Sequence, residues 1–289
     1  MFYIDLKKDR SERVRYDYPD LPLSIHVYQL SAYPNYACDS HWHGDIEMIA
    51  ILSGQMLYNV NGKIMTLNRG EGILVNAKQL HYGFSESKTE CEFICIMFHP
   101  MLLCTTKLLE REFVEPILRS GISHWHLTPE IPWQGEILNH MRQMSDRKNE
   151  KTAPLAVQSN LFLLWNEIVM HTTLAKKSDK TAEPKLTVLK NMITYVHGHY
   201  AGKITLADIA AAGHISKRTC GALFLEYQNK TPIEFLTDYR LRKSIELMKN
   251  TELSILDISL AVGFSGASYY AETFRKFFGQ SPAEYRKSV

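Results

Sequence analysis

Three histidines and a glutamate in the first hundred residues have the types and spacing of a metal site. One residue separates His41 from His43, Glu47 follows four residues later, and His81 comes from further along the chain. Alternate residues of a β-strand point to the same face, so one strand would present both imidazoles together, and Glu47 too if it ran unbroken. Three imidazoles and a carboxylate suit a first-row divalent metal. A metal site formed by these four side chains is therefore one function that the sequence supports.

The spacing around these residues resembles the metal motifs of the cupin barrels. In the first motif, His-x-His is followed after three residues by Glu and after six more by Gly, which is Gly54 here; in the second, Gly70 precedes the last histidine by eleven residues. The chain departs from both motifs, because Asn35, Asn76 and Lys78 stand where cupins carry Gly, Pro and Gly. The resemblance implies a β-barrel around the four side chains.

The same side chains have two other interpretations, which the sequence leaves open. They could line a polar pocket that binds an organic effector without metal, or they could bond only to one another as a structural cluster. Aromatic residues are close to them in sequence, and aromatic faces beside imidazole and carboxylate groups can stack on and hydrogen-bond a sugar. The predicted effector pocket comprises His41, Trp42, His43, Glu47, Tyr58, His81 and Tyr82.

Short apolar runs separated by turn signals predict the strands that would position these residues. The predicted strands are residues 24–30, 46–52, 55–60, 63–67, 73–75 and 93–98. Asn61-Gly62 is a strong signal for a two-residue β-hairpin, and Arg69-Gly70 predicts another turn. Many short strands at close spacing indicate a sandwich or a barrel.

From about residue 101 to residue 177 the apolar period becomes helical. Of three expected helical segments, the third spans residues 155–174 and is apolar over a broad arc. Such a helix would be buried on one side by its own barrel and on the other by a partner subunit. We therefore predict a homodimer through it, with burial inside one chain as the alternative. Lys, Ser and Pro residues predict a linker over residues 178–187.

Residues 204–286 contain two similar copies of one pattern. Thr205 and Asp208 in the first copy, like Ser254 and Asp257 in the second, stand three residues apart before an apolar run. This spacing predicts a capping box, in which a hydroxyl and a carboxylate bind the free N–H groups of a helix start. The offset between copies is 49 residues at their starts and 50 later, so the second copy has one extra residue in its turn.

Each copy is predicted to form two helices joined by a short turn, with Gly213 in the first turn and Gly263 in the second. This is a helix-turn-helix, whose second helix can enter the major groove of DNA. A helix predicted from Pro232 to Lys249 joins the copies and would be roughly 27 Å long at about 1.5 Å per residue. One turn of B-DNA is about 34 Å, so the two second helices could reach successive major grooves.

The second copy resembles the AraC/XylS class of bacterial transcription regulators, and the resemblance covers about the last hundred residues. The matching positions are Ile258, Ala261, Gly263, Phe264, Ser268, Tyr269, Tyr270, Phe274, Arg275, Lys276, Phe278, Gly279, Pro282, Tyr285 and Arg286. The chain departs from the family at Ala222 and Glu272, where an Arg often stands in the recognition helices. The resemblance implies an effector-sensing N-terminal domain, a carbohydrate effector, and activation through contact with RNA polymerase.

The predicted DNA-binding residues lie on the second helix of each copy. They are Lys217, Arg218, Thr219, Ala267, Ser268, Glu272, Arg275 and Lys276. Arg218 is expected to read a base directly, since a guanidinium can bridge guanine O6 and N7. The other basic residues are expected to contact phosphate, which positions a protein without specifying sequence. A solvated helix surface is the alternative for each of these charges.

Charge and composition bound the function further. The 289-residue chain has a net charge of +2, and from Leu186 onward it carries 13 basic and 9 acidic residues, which suits a DNA partner. Its five cysteines match no metal or redox spacing, so free thiols are expected. The charged start predicts no signal peptide, and no run approaches the roughly 18 apolar residues of a membrane span. We therefore expect a cytoplasmic protein.

Together these patterns predict an α+β chain. Its expected parts are a cupin-like β-barrel over residues 1–100, a helical dimerisation segment over 101–177, the linker over 178–187, and an all-α double helix-turn-helix domain over 188–289. The predicted function is a ligand-responsive transcription regulator, an activator that senses a small polar molecule such as a carbohydrate. Double-stranded DNA, RNA polymerase and a second copy of the chain are the expected partners.

The alternative is a metal-dependent cupin enzyme, an isomerase or dioxygenase with a helical appendix. A doubled helix-turn-helix has no use in such an enzyme, and the sequence offers no other convergent catalytic set. We therefore expect no enzymatic activity. The divalent metal considered above is the only cofactor that the sequence suggests.

Overall fold

The structure is a computed structural model that describes residues 11–18, 20–173 and 184–287. The chain divides into two compact units, Met1–Glu183 and Pro184–Val289. The first is rich in β-structure and the second is helical, so the predicted α+β class is confirmed. Within the described ranges, no helix is both long and apolar enough to cross a bilayer.

The described part of the first unit contains a sheet of seven antiparallel strands. They are β1 (Leu23–Gln29), β2 (Ile46–Val60), β3 (Lys63–Asn68), β4 (Gly72–Val75), β5 (His81–Phe84), β6 (Cys91–Phe98) and β7 (His124–Leu127). The main path runs β1-β6-β2-β4-β7, and both β3 and β5 also pair with β2. The longest strand, β2, therefore pairs with four of the other six strands.

Strand β2 is bent, and the bend lets it serve two sets of partners. Its first part pairs with β4 and β6. Beyond an irregularity between Ile51 and Ser53, the pairing with β6 continues to Gly54, and the rest of the strand pairs with β3 and β5. At the bend Gly54 has φ of +72°, and a Cβ there would lie 2.2 Å from the carbonyl oxygen of Glu90. The sequence predicted two separate strands here; the bulge keeps them one continuous strand of 15 residues.

The hairpin between β2 and β3 confirms the prediction made from Asn61-Gly62. These residues have φ of 51° and 88°, the two left-handed conformations that a type I′ turn requires. Val60 pairs with Lys63 across the turn, which fixes the register of the hairpin.

Helices and short turns complete the first unit. The α-helices are α1 (Lys107–Leu109), α2 (Glu115–Leu118), α3 (Pro132–Arg147) and α4 (Ala153–His171). The 3₁₀ segments are Leu30–Ala32, Pro34–Tyr36 and Pro100–Leu103, and a π-helical turn spans Glu110–Val114. The expectation that residues 101–177 are helical is wrong for β7, which pairs with β4 at the sheet edge. Pairing with a distant strand decides its conformation, and local sequence does not carry that signal.

The sheet is buried on both faces, and alternate residues of its central strands go to different cores. Met48 and Ala50 of β2 join a cluster that includes Leu138 of α3 and Leu161 of α4. Ile49, between them, joins the second cluster, which surrounds a cavity. The period-2 alternation of a strand thus separates a helix-packed face from a cavity-lining face.

The second unit consists of seven described helices. They are α5 (Pro184–His199), α6 (Leu206–Ala212), α7 (Lys217–Gln228), α8 (Pro232–Asn250), α9 (Ile255–Ala261), α10 (Ala267–Phe278) and α11 (Pro282–Lys287). Residues 178–183 of the predicted linker lie outside the described residues, and residues 184–187 belong to α5. A proline at the first helical position has a backbone pre-set for the helix, so Pro184 starts α5 rather than extending the linker.

Side-chain caps begin α6 and α9, as predicted, and also α8 and α11, where no cap was predicted. Complete boxes pair Thr205 with Asp208 at α6, Thr231 with Glu234 at α8, and Ser281 with Glu284 at α11. At α9, the Ser254 hydroxyl accepts from the backbone N–H of Asp257 at 3.1 Å and donates to its carboxylate at 2.6 Å. Helices α6 and α7 form one helix-turn-helix, and α9 and α10 form the other.

The two turns differ in which residue adopts the left-handed conformation. In the second turn it is Gly263, with φ of 87°, but in the first it is His214, with φ of 53°, and not Gly213. Gly213 is needed for space instead, because a Cβ there would lie 2.8 Å from Cγ of Met192. The two turn glycines therefore have different roles: Gly263 adopts the left-handed conformation, and Gly213 leaves room for Met192 of α5.

Candidate functional site

The four side chains of the predicted metal motif converge in the first unit. His41, His43, Glu47 and His81 are all buried, and one ligand atom from each lies within 4.8 Å of the others. His41 and His81 meet through backbone hydrogen bonds of 3.2 and 3.0 Å. Glu47 would share a strand face with the two histidines only if the strand ran unbroken, but the chain bends after His43, and β2 begins only at Ile46. The convergence therefore depends on this bend and not on simple alternation.

The backbone fixes the orientation of all three imidazoles. The Nδ1 atom of each ring donates to a carbonyl oxygen two residues away, at 2.8 Å for His41, 3.0 Å for His43 and 2.9 Å for His81. The Nε2 atoms then point inward, toward Oε2 of Glu47, at distances of 4.0, 3.4 and 3.4 Å in the same order. Such carbonyl contacts set the tautomer and the direction of a coordinating histidine.

The neighbours of the buried Glu47 carboxyl group shift its pKa. Burial alone would raise the pKa of its carboxyl group, but His81 and His43 hold that pKa well below the usual value. Burial holds the pKa of His41 well below its usual value, whereas the hydrogen bond and charge of Glu47 raise the pKa of His43 despite burial. The Tyr58 hydroxyl donates to Oε1 of Glu47, which leaves Oε2 facing the imidazoles.

A second carboxylate, Glu12, reaches the same centre from the segment before β1. Its Oε2 lies 3.3 Å from Nε2 of His41 and 3.9 Å from Nε2 of His43. The segment is held by a hydrogen bond of 2.8 Å from the Glu12 backbone N–H to the Trp42 carbonyl. Glu12 was not among the predicted site residues, since an acidic residue in a polar segment carries no local signal for a long-range contact.

A cavity of about 460 Å³ opens beside the cluster. Of the predicted pocket residues, His41, Glu47 and Tyr58 line it, whereas the lining within the described chain does not include Trp42, His43, His81 or Tyr82. His43 and His81 lie behind the wall in the cluster. The Tyr82 ring contacts Phe84, and its hydroxyl accepts from Asn59, so it has other partners.

The remainder of the cavity wall is mixed in character. It includes four aromatic rings that were not predicted to line the pocket, namely Tyr16, Tyr28, Tyr33 and Phe93. Charged and polar side chains also line it, namely Glu12, Arg13, Arg15, Asp17 and His26. The His26 imidazole lies 3.0 Å from the Asp17 carboxylate. The cavity thus offers aromatic faces together with hydrogen-bonding groups, which is the usual make-up of a site for a small polar ligand.

The predicted DNA-binding residues lie on the second helix of each helix-turn-helix. On α7, Lys217, Arg218 and Thr219 are exposed, although the Thr219 hydroxyl is 2.9 Å from that of Ser216 at the helix cap. On α10, Ala267 is half-buried, whereas Ser268, Glu272, Arg275 and Lys276 are exposed. The aromatic residues Phe264 and Phe274 are buried in the core, and Phe278 is half-buried.

The 50-residue offset relates one exposed face of α7 to one exposed face of α10. Arg218, Ala222 and Leu225 correspond to Ser268, Glu272 and Arg275, and all six are exposed. Leu225 is 53% exposed, and Tyr269, beside this face, is 59% exposed. Neither residue was predicted to contact DNA, although applying the offset to Arg275 identifies Leu225.

Helix α8 is hydrogen-bonded to the second helix-turn-helix and to the residues that follow α5. The Ser244 hydroxyl on α8 accepts from the Tyr270 hydroxyl of α10 at 2.9 Å, and both residues are buried. Arg240 on α8 donates to the carbonyl oxygens of Tyr200 and Gly202 at 2.8 and 2.7 Å. These contacts hold α10 and the end of α5 to the connecting helix.

Sequence comparison assigns both units to known domains. An AraC-like ligand binding domain matches residues 25–164, and a helix-turn-helix domain matches residues 209–288. The chain belongs to the AraC family of transcription regulators. It is a DNA-binding regulator with a ligand-binding domain and not an enzyme, which removes the cupin-enzyme alternative.

Full-length relatives support this membership of the AraC family. The uncharacterized HTH-type transcriptional regulator YdeC of Bacillus subtilis (strain 168) is 28% identical over 271 residues, 93% of this chain and 92% of YdeC. The melibiose operon regulatory protein of Escherichia coli (strain K12) is 24% identical over 262 residues, 88% of this chain and 85% of that protein. The HTH-type transcriptional activator RhaS of Shigella sonnei (strain Ss046) is 21% identical over 260 residues, 86% of this chain and 87% of RhaS.

Proposed function

We propose that this AraC-family regulator binds a small carbohydrate in the cavity of its first unit and activates transcription in response. The observation that carries the proposal is the cavity wall, where His41, Glu47 and Tyr58 at one end are joined by aromatic rings. Sugars are bound by rings that stack on C–H faces and by polar groups that hydrogen-bond hydroxyls. The name of the melibiose operon regulatory protein supports the same ligand class.

The size of the cavity is compatible with such a ligand. A volume of about 460 Å³ falls within the roughly 300–1,000 Å³ of small-molecule sites. Both carboxylates and guanidinium groups line it, so a neutral polyhydroxyl compound can find acceptors and donors there. A mono- or disaccharide is therefore the proposed effector.

For DNA, we propose that α7 and α10 enter successive major grooves. Arg218 reads a guanine through its guanidinium, while Lys217, Arg275 and Lys276 contact phosphates. Thr219, Ala267, Ser268 and Glu272 are proposed as further contacts of these two helices. The 19-residue helix α8 is about 28 Å long at about 1.5 Å per residue, which supports a separation close to one DNA turn.

We propose that the regulator is a homodimer, with α4 at the interface. One side of α4 is buried in its own unit, whereas Leu155, Leu163 and Met170 are 74%, 52% and 72% exposed. At 100° per residue these three side chains fall on one face. An exposed apolar stripe of this kind is stabilised by burial against a second copy.

The proposed regulation follows from linkage. The effector can change DNA affinity only as far as it binds one arrangement of the dimer better than the other. The description of RhaS as an activator supports an activating role here, through contact with RNA polymerase in the cytoplasm.

A sugar panel read by thermal unfolding tests the effector proposal. Binding at about 100 times Kd adds about 2.7 kcal/mol, which raises Tm by several degrees. The Tyr28→Ala variant, which loses a ring of the cavity wall, should lose this shift. Tyr82→Ala, which removes a ring outside the lining, should keep it. No shift with any sugar for the wild-type protein, or equal shifts in both variants, would reject the carbohydrate site.

DNA binding is tested separately, by gel shift with DNA upstream of the protein's own operon. The expected result is a sequence-specific complex whose affinity changes when the sugar from the panel is added. A specific complex that ignores the sugar would contradict regulation by this effector, while leaving the DNA-binding role intact.

A further inference from the structure

In the cluster beside the cavity, three imidazole nitrogens face the carboxylate of Glu47, and the carboxylate of Glu12 approaches the rings of His41 and His43. Because each Nδ1 donates to a carbonyl oxygen, Nε2 is the atom that each ring presents to the centre. His81 Nε2 is buried and makes no hydrogen bond of acceptable geometry within the described chain, although Oε2 of Glu47 is 3.4 Å away. Buried polar atoms in native proteins normally have a hydrogen-bond partner or a ligand, and a bound ion would supply one for His81 Nε2.

The spacing of the ligand atoms fits a small cation. Ligands about 2.0–2.1 Å from a tetrahedral ion lie roughly 3.4 Å from one another. The distances from Oε2 of Glu47 to the Nε2 atoms of His43 and His81 are both 3.4 Å, and that to His41 is 4.0 Å. The four ligand atoms all lie within 4.8 Å of one another, so binding of one ion would draw them closer together.

We propose that His41, His43 and His81, through Nε2, and Glu47, through Oε2, bind one first-row divalent metal ion, with Glu12 as a fifth ligand. Imidazole ligands favour zinc and its neighbours over calcium or magnesium, which take oxygen ligands. Two carboxylates balance the charge of a divalent cation, and this balance matters in a site that is almost entirely buried. Tyr58 positions Glu47 by donating to its other oxygen.

Glu12 gives the metal a second role, because it belongs to the segment before β1. Coordination by its carboxylate would fasten residues 11–17 over the cavity, which Glu12, Arg13 and Asp17 also line. Metal and cavity would then be linked through this segment.

The test is a calorimetric titration of the full-length protein with Zn²⁺ alone, after a chelator has removed metal and has itself been dialysed away. We expect one Zn²⁺ per chain. His43→Gln and His81→Gln should each weaken binding by more than about 100-fold, and Tyr58→Phe by about 10–100-fold, the usual effect of losing a residue that orients a ligand. His126→Gln on β7, outside the cluster, should bind as the wild type does.

Absence of saturable Zn²⁺ binding by the wild type would overturn the site. Unchanged affinity in both histidine variants would do the same, because the ion would then bind elsewhere. Circular dichroism checks that the variants fold; if the histidine variants do not, Tyr58→Phe decides, and wild-type affinity in that variant overturns the assignment.

Limited proteolysis tests separately whether Glu12 coordinates the metal. Zn²⁺ should slow tryptic cleavage after the exposed Arg13 in the wild type, and Glu12→Gln should remove this protection. Equal cleavage with and without Zn²⁺ would exclude Glu12 from the coordination sphere. The metal site does not rest on the proposed function, because all these measurements omit sugar and DNA. A protein that binds Zn²⁺ but no carbohydrate would contradict the proposed effector and would still support the metal site.

Discussion

His214 and Gly263 hold the same left-handed position in the two helix-turn-helix turns, with φ of 53° and 87°. A side chain in this conformation costs about 1–2 kcal/mol, which glycine avoids. The first turn therefore carries a strain that the second does not.

His214→Gly should stabilise the protein by about 1 kcal/mol by relieving this strain. Gly263→Ala should destabilise it by about 1–3 kcal/mol, since its Cβ would lie 2.5 Å from the Tyr200 carbonyl oxygen. Denaturant unfolding of the two variants measures both effects. A destabilised His214→Gly variant would mean that contacts of the imidazole outweigh its backbone strain.

The two recognition helices should respond differently to loss of an arginine. Arg218→Ala should weaken binding to the preferred DNA by about 1–3 kcal/mol and relax the base preference at one position. Arg275→Ala should weaken binding to all sequences alike and lower the slope of log affinity against log salt by about 1. Gel shifts at several salt concentrations distinguish the two. An unchanged base preference for Arg218→Ala would rule out direct readout by that residue.

Charge on the exposed stripe of α4 should disrupt the proposed dimer. Leu163→Glu places a carboxylate where an apolar interface is proposed, and unpaired charges are costly to bury. Sedimentation should therefore show a monomer. Leu108→Glu, at another exposed leucine of the same unit, is the matched control and should remain dimeric. If Leu163→Glu is also a dimer, the interface lies elsewhere.

Acid should weaken the cap of α6. The Thr205 hydroxyl and backbone N–H hydrogen-bond Asp208 and lower the pKa of its carboxyl group. A lowered pKa in the folded state contributes stability above the unfolded value, about 3.9, and that contribution is lost as pH falls through the folded value.

Asp208→Asn should therefore be less stable than the wild type at pH 6, and this difference should shrink below about pH 4. Glu252→Gln, at an exposed acidic residue in the loop before α9, is the control and should follow the wild type. Thermal unfolding between pH 2 and pH 6 provides the comparison. A difference that stays constant over this range would show that the charge of Asp208 does not contribute.

Local signals in the sequence predicted local structure well. Asn61-Gly62 predicted a hairpin, and Thr205 with Asp208 predicted a capped helix, because in both cases the interacting groups are within a few residues. The internal repeat predicted both helix-turn-helix units for the same reason, since each copy supports the interpretation of the other.

Features that depend on distant contacts were not predictable in this way. The bend that brings His43 and Glu47 together, the edge strand β7, and the approach of Glu12 to His41 all depend on pairing across the fold. The Trp42 and Tyr82 rings were close to the histidines in sequence but do not line the cavity, whereas Tyr28 and Tyr33 do. Closeness in sequence was therefore a poor guide to which rings share a cavity.

Alternate residues of β2 and β6 pack into different cores, so the position of a residue along the strand indicates which core it faces. Along β6 and the part of β2 before its bulge, even-numbered residues such as Met48 and Ile96 face the helices, and odd-numbered residues such as Ile49 and Cys95 face the cavity. Beyond the bulge the parity of β2 reverses, so Met56 and Tyr58 line the cavity. A saturation mutagenesis scan of these strands should consequently give two interleaved phenotypes: loss of protein abundance at positions that face the helices, and an altered response to the proposed effector at positions that face the cavity. Selection for a new inducer could then change every second residue while the fold is kept.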